Sequence, residues 1–204
     1  MIAIIDYGVG NLFSLCSSLK YIGWDAIITG DKAVIESCDK LLLPGVGAFA
    51  DAMRKLREGG LSEFVAKQAR GGKPIMGVCL GMQLLFEKGM EFGEHVGLGL
   101  LSGSVEPIEP RIPEDYKIPH IGWNALKFPT TEKPPLFKYI SEGDHVYFVH
   151  SFHAEQCEDA IIATTEYGAE LTAAVACGNI YGTQFHPEKS GEIGLNILRA
   201  FAEM

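Results

Sequence analysis

The order of apolar runs in residues 2–87 restricts the fold of this chain more than any other feature. Ile2–Ile5 is a continuous apolar run closed by Asp6. Leu12, Leu15, Cys16, Leu19 and Ile22 then recur at helical spacing. Asp25–Thr29 and Lys40–Leu43 read as second and third strands, the latter stopped by Pro44-Gly45-Val46-Gly47. Ala50–Arg57 and Leu61–Arg70 read as helices, with Gly59-Gly60 and Gly71-Gly72 as breaks. Pro74–Val78 reads as a fourth strand and Leu80–Glu87 as a helix. Short strands that are apolar along their length must be covered on both faces, which is the condition of a parallel sheet between helix layers.

After Gly93 strands dominate: Ser102–Ile108, Lys117–Lys127, His145–Phe152, Ala160–Glu166, Leu171–Cys177 and Asn179–Phe185, with Cys177-Gly178-Asn179 as a hairpin turn. The prolines at 107, 110, 113 and 119 mark an intervening loop. A last helix spans Gly191–Glu203, with Ser190 as its expected N-cap. No repeat or linker divides the chain. The expectation is one α/β domain over residues 1–204, a mostly parallel central sheet flanked by helices with an added antiparallel, β-rich second half.

With 47% apolar and 21% charged residues, the chain can bury a core. Its formal net charge of −9 and lack of a Lys/Arg-rich run argue against a nucleic-acid surface. No apolar stretch has the roughly 20 residues that a bilayer requires. The N-terminal residues read as a first strand and not as a signal peptide. The five cysteines are odd in number and widely spaced, so a disulfide framework is not expected and a reducing, cytoplasmic compartment is.

The chemistry concentrates in "PIMGVCLGMQLLF", Pro74 to Phe86. Strand, G-x-C-x-G, helix is the layout of a nucleophile elbow. The turn is sharp enough to strain the nucleophile's backbone, and side chains at Gly77 and Gly81 would strike neighbouring backbone. Cys79 would sit at the start of a helix, where free N–H groups and the helix dipole favour negative charge. The Leu80 N–H is then placed to donate to an oxyanion. The competing reading is a small buried thiol, cysteine being among the most buried residue types. Cys16 and Cys177 lie in apolar periodic segments and read as core. Cys38 and Cys157 sit in polar, loop-like contexts.

A nucleophilic thiol needs a base, and six histidines are available. His186 follows an apolar strand and precedes Pro187-Glu188, so in an extended segment Glu188 shares its side of the chain and could orient the imidazole. A surface His and Glu before a helix is the plainer reading of H-P-E alone. His120, His150 and His153 read as structural, and no metal site is expected of them. The glycine-rich Gly45-Val46-Gly47 could present bare N–H groups to a developing negative charge, but by itself is also an ordinary turn.

Together and in this order, "LLLPGVGAF", "GVCLGMQ" and "FHPEK" resemble the class I (triad) glutamine amidotransferases, over nearly the whole chain. The resemblance implies a flavodoxin-like fold and hydrolysis of L-glutamine through a cysteinyl thioester. It implies Cys79 as nucleophile, His186 as general base and acid, and Glu188 as orienter. Gly45, Val46, Gly47 and Leu80 would border the oxyanion, and Gln83, Ser151 and Phe152 would contact glutamine. No cofactor is implied. "DYGVGNL", "IPHIGWN" and "YFVHSFHAE" are most similar to the glutaminase-subunit subfamily of imidazole glycerol phosphate synthases. Those subunits pass ammonia to a cyclase partner, a (β/α)8 barrel in a heterodimer, which makes imidazole glycerol phosphate and AICAR in histidine biosynthesis. Asn11, Trp123, Tyr147 and Lys189 would lie at that interface. The same triad would also serve other synthases, such as anthranilate, aminodeoxychorismate or pyridoxal phosphate synthase, or another cysteine hydrolase.

Overall fold

The computed structural model describes residues 1–130 and 132–204. The first half runs β1 (Ile2–Ile5), α1 (Leu12–Tyr21), β2 (Ala26–Thr29), α2 (Lys32–Ser37), β3 (Lys40–Gly45), α3 (Phe49–Glu58), α4 (Ser62–Arg70), β4 (Ile75–Cys79) and α5 (Leu80–Gln83). There follow β5 (Phe86–Gly89), β6 (His95–Val96), β7 (Leu101–Pro107), β8 (His120–Lys127), β9 (His145–His150), β10 (Phe152–Glu155), β11 (Ile161–Glu166), β12 (Glu170–Cys177), β13 (Ile180–Thr183) and α6 (Gly191–Glu203).

Among the described residues these strands form a nine-stranded sheet, ordered β2-β1-β3-β4-β13-β12-β11-β8-β9, and a four-stranded sheet, β10-β7-β5-β6. The pairings from β2 to β13 are parallel and those from β13 to β9 antiparallel. The order 2-1-3-4-5 of flavodoxin-like sheets is therefore present, with β13 in fifth place. The β12–β13 hairpin turns at Gly178, at φ +58°.

The period of two along each strand splits the core. Ile2, Ile4, Leu42, Met76 and Val78 face Leu15 and Leu19 of α1 and Ile197 and Phe201 of α6. Ala3, Ile5, Leu41, Leu43 and Ile75 face Ile35 of α2, Met53 and Leu56 of α3, and Val65 and Ala69 of α4. Both faces are covered, so both sets must be apolar, and each fully buried Leu or Ile contributes about 2 kcal/mol.

Four expectations are corrected. β3 continues through Pro44 to Gly45. Its pairing with β1 ends at Leu42, and the Pro44 carbonyl on that side accepts from the Tyr7 hydroxyl at 2.7 Å, so the missing proline N–H breaks no ladder bond. The helix after Cys79 is a single turn, not Leu80–Glu87. Leu84, Leu85 and Phe86 are all fully buried, which an amphipathic helix cannot achieve, and Phe86 instead pairs with Leu101 in the second sheet. The strand expected over His145–Phe152 breaks at Ser151, where β9 leaves the large sheet and β10 joins the small one. Cys177 is exposed and not in the core as expected, while Cys38 and Cys157 are buried despite their polar, loop-like contexts.

Candidate active site

The carboxyl ends of β3, β4 and β13 lie side by side, with Gly45 opposite Cys79 and Thr183 opposite Val78. Cys79 closes β4 at φ +56°, ψ −116°, a conformation L-residues rarely adopt and one that costs about 1–3 kcal/mol. Close approach explains the flanking glycines. A Cβ on Gly77 would lie 2.5 Å from the Gly81 carbonyl oxygen, and one on Gly81 would lie 1.8 Å from that of Leu43. The one-turn α5 leaves little helix dipole, so the strained turn itself, more than a long helix, sets the thiol's position.

His186 and Glu188 come from the segment after β13. Pro187–Lys189 forms a 3-10 turn and not the extended segment expected, yet the turn brings His186 Nδ1 to 2.9 Å from Glu188 Oε1. The turn is clamped to β9. The His186 N–H donates to the Tyr147 carbonyl at 3.0 Å, and the Tyr147 N–H to Ser190 Oγ at 3.0 Å. The Ser190 hydroxyl donates in turn to the His186 carbonyl at 2.7 Å. Ser190 thus stands at the N-cap position of α6 but spends its side chain on the clamp, making no cap hydrogen bond. Both catalytic-type side chains are closed to solvent, at 3% exposure for His186 and 0% for Glu188. The Asn11 amide donates to the same Glu188 oxygen at 3.2 Å.

A cavity of about 350 Å³ lies over this junction, within the range of small-molecule sites. Cys79, Leu80, Gln83 and His186 line it together with Val46, Gly47, Ser151, Phe152 and Lys189. Gly45 lies outside the lining, as the last residue of β3. The Ser151 break is what turns the backbone of residues 149–152 into a wall, with the Val149 carbonyl 4.0 Å from Cys79 Sγ. Gln83 Nε2 donates to the Phe152 carbonyl at 3.2 Å and to Gln184 Oε1 at 2.9 Å, which leaves only its oxygen for a bound molecule.

The buried histidines differ in electrostatics. Burial pulls His186 down, but hydrogen bonds and charge interactions with Cys79 and Glu188 outweigh it and raise the imidazole to about 9. Burial instead dominates at His150, lowered to about 3, and at His120 and His153, also lowered. Of these four, His186 alone is set to hold a proton at neutral pH beside a sulfur. His150 and His153 point to separate partners, His120 and Glu155. Among the described residues no three His, Cys, Asp or Glu side chains converge as metal ligands would.

Trp123, Tyr147 and Lys189 form one outer patch beside the cavity. Trp123 opposes Tyr147 across β8 and β9, with ring centroids 6.0 Å apart, and Lys189 Nζ lies 5.8 Å from the Tyr147 ring centre. Trp123 is 54% exposed and the neighbouring Ile121 57%. Asn11 faces inward to Glu188.

Two residues escaped the sequence reading. Glu91 lines the cavity and accepts the first N–H of α3, from Phe49, at 2.7 Å, in place of a cap that Ala48 cannot supply. No local pattern marks it. Gln184 is fully buried and donates to Cys79 Sγ at 3.8 Å. A carboxamide inside the apolar run "IYGTQF" was the available signal.

Residues 3–203 match the family model described as glutamine amidotransferase class-I. The chain is 50% identical over 206 residues to the imidazole glycerol phosphate synthase subunit HisH of Sulfurimonas denitrificans, covering 100% of this chain and 98% of the relative. It is 49% identical over 205 residues to the subunit of that name from Caldanaerobacter subterraneus, covering 100% and 98%. A crystal structure described as a glutamine amidotransferase superposes with a TM-score of 0.76 at 20% identity, covering 100% of both chains. PurLQS from Thermotoga maritima superposes with a TM-score of 0.74 at 20% identity, covering 99% and 97%.

Proposed function

Because the chain belongs to the glutamine amidotransferase class-I family, we propose that it hydrolyses L-glutamine as the ammonia-releasing subunit of an imidazole glycerol phosphate synthase. The carrying observation is Cys79, strained at the mouth of β4, in one cavity with an imidazole that Glu188 holds by Nδ1. Glutamine enters with its side-chain amide over the sulfur. The Cys79 thiolate attacks the amide carbon, and the oxyanion forms where the Leu80 N–H and the Gly45-Val46-Gly47 loop can donate. Collapse breaks the C–N bond, His186 gives its proton to the leaving nitrogen, and ammonia departs. His186, now neutral, takes a proton from water as the water attacks the glutamyl thioester. Glutamate leaves and the thiolate–imidazolium pair is restored. Glu188 keeps the tautomer that presents Nε2 to this chemistry. In this reading the Ser151-Phe152 backbone holds the α-amino and carboxyl ends of glutamine, and Glu91, which also lines the cavity, offers a carboxylate to the α-ammonium.

Ammonia released to neutral water becomes ammonium and stops being a nucleophile, so hydrolysis is useful only when coupled to an acceptor. The partner we infer is the cyclase subunit, a (β/α)8 barrel, docked on the Trp123–Tyr147–Lys189 patch in a heterodimer. The whole chain acts as one domain, since β13, near its end, is inserted between β4 and β12. Among the described residues no helix is long and apolar enough to cross a membrane. A reactive thiol with no disulfide around it suits the cytoplasm.

The test is ammonia release from glutamine by the purified complex. Cys79→Ala should abolish it, and a Cys79→Ala protein with normal turnover would overturn the assignment. Co-purification of the untagged partner from the native source identifies the acceptor chemistry.

A further inference from the structure

Gln184 lies between the nucleophile and Gln83, and a count of donors fixes its orientation. The Phe152 carbonyl can only accept, so Gln83 must turn its NH2 group toward it. The same nitrogen lies 2.9 Å from the Gln184 carboxamide. Two NH2 groups facing each other there would repel, so Gln184 presents its oxygen to Gln83. Its own NH2 is then left facing Cys79 Sγ at 3.8 Å. The arrangement is a relay of two amides, from a backbone carbonyl on the cavity wall to the sulfur. Gln83 and Gln184 are both buried, which protects each contact from competing water.

We propose that Gln184 is a positioning residue for the nucleophile: its carboxamide N–H holds the Cys79 sulfur and favours the charged, attacking form. This rests on Cys79 being the nucleophile. A thiolate accepts hydrogen bonds more strongly than a thiol, so a fixed donor stabilises it and narrows its direction of attack. The donor complements His186, which has to give up its proton during turnover, whereas a carboxamide keeps its hydrogens throughout. Gln83 is accordingly more than a substrate contact, because its amide sets which end of Gln184 meets the sulfur.

Gln184→Glu separates the two halves of the relay. It keeps an oxygen for Gln83 but replaces the donor facing Cys79 with a carboxylate oxygen. The measurement is peptide-resolved alkylation of Cys79 in the full chain by iodoacetamide across pH, with kcat and KM for glutamine measured in the complex. In Gln184→Glu the alkylation profile should move to higher pH by about one unit or more. The kcat should fall about tenfold or more, with KM changed far less. Gln184→Met, lacking both halves, should shift the profile in the same direction by less. A purely structural role predicts the opposite order, since Glu is the closer isostere. An unmoved profile in Gln184→Glu, or in Gln184→Met should the Glu variant not fold, overturns the proposal. If Cys79→Ala is inactive while the Gln184 variants match wild type, this inference alone fails. An active Cys79→Ala defeats the reading beneath it.

Discussion

His186 and Glu188, two residues apart in the chain, hold each other by a 2.9 Å contact between Nδ1 and Oε1. The contact spans a proline-led 3-10 turn that is pinned to Tyr147 of β9 from both sides, through the His186 N–H and Ser190 Oγ. Because the turn is clamped, the carboxylate works as a fixed charge, not as a mobile one. Glu188→Gln keeps the shape and removes the charge. It should lower kcat for glutamine hydrolysis by about a hundredfold or more, with a smaller effect on KM. Steady-state ammonia release from the complex measures this, and a loss under about threefold would contradict the orienting role.

The charge on His186 gives a signed pH dependence. Its folded value of about 9 lies above the ordinary 6.5. The stability it contributes is therefore fully present below pH 6.5 and is lost as pH rises through about 9. Urea midpoints should fall across that window in the wild type and flatten in His186→Ala. Turnover should decline over the same alkaline range, as the proton destined for ammonia is lost. Glu188→Gln removes one of the interactions that raise His186, so its alkaline limb should move to lower pH. A limb that stays in place, or moves up, would count against His186 as the titrating group.

The elbow should be intolerant of one added methyl. A Cβ on Gly81 would lie 1.8 Å from the Leu43 carbonyl oxygen, which is backbone and cannot swing away. Gly81→Ala should therefore cost about 3 kcal/mol or more, read as a lowered denaturation midpoint, and abolish turnover by displacing Cys79. Normal stability in this variant would show that the close packing of β3 on the elbow is misread.

Trp123 tests the docking patch independently of the chemistry. Its ring is 54% exposed in the isolated chain, so truncation should leave the melting temperature unchanged. At an interface, a buried aromatic is often an anchor, and Trp123→Ala should weaken partner binding by about 2 kcal/mol, roughly thirtyfold. Lys189→Ala removes the cation 5.8 Å from the Tyr147 ring and should weaken binding less, with greater relief by salt in the wild type. Calorimetric titration of partner into each variant gives the answer. Wild-type affinity in Trp123→Ala would move the interface elsewhere on the surface.

The sequence by itself determined the layers and the strained turn. Apolar runs such as Ile2–Ile5 and Leu41–Leu43 must be covered on both faces, and two glycines around Cys79 permit a backbone that other residues forbid. These are local demands, written in consecutive residues. What the tertiary structure decided is everything that depends on which distant groups meet. Leu84–Phe86 left the helix because a second sheet offered a place for three consecutive buried side chains. Ser151 became a corner because β9 and β10 pair with different sheets. Glu91, Asn11 and Gln184 entered the site because the segment after β5, the loop after β1 and the residue following β13 come together there, and no periodicity in their own segments reports that. A hydrogen bond needs its partner within about 3 Å, and a chain with partners 42 to 177 residues apart settles those distances only by folding.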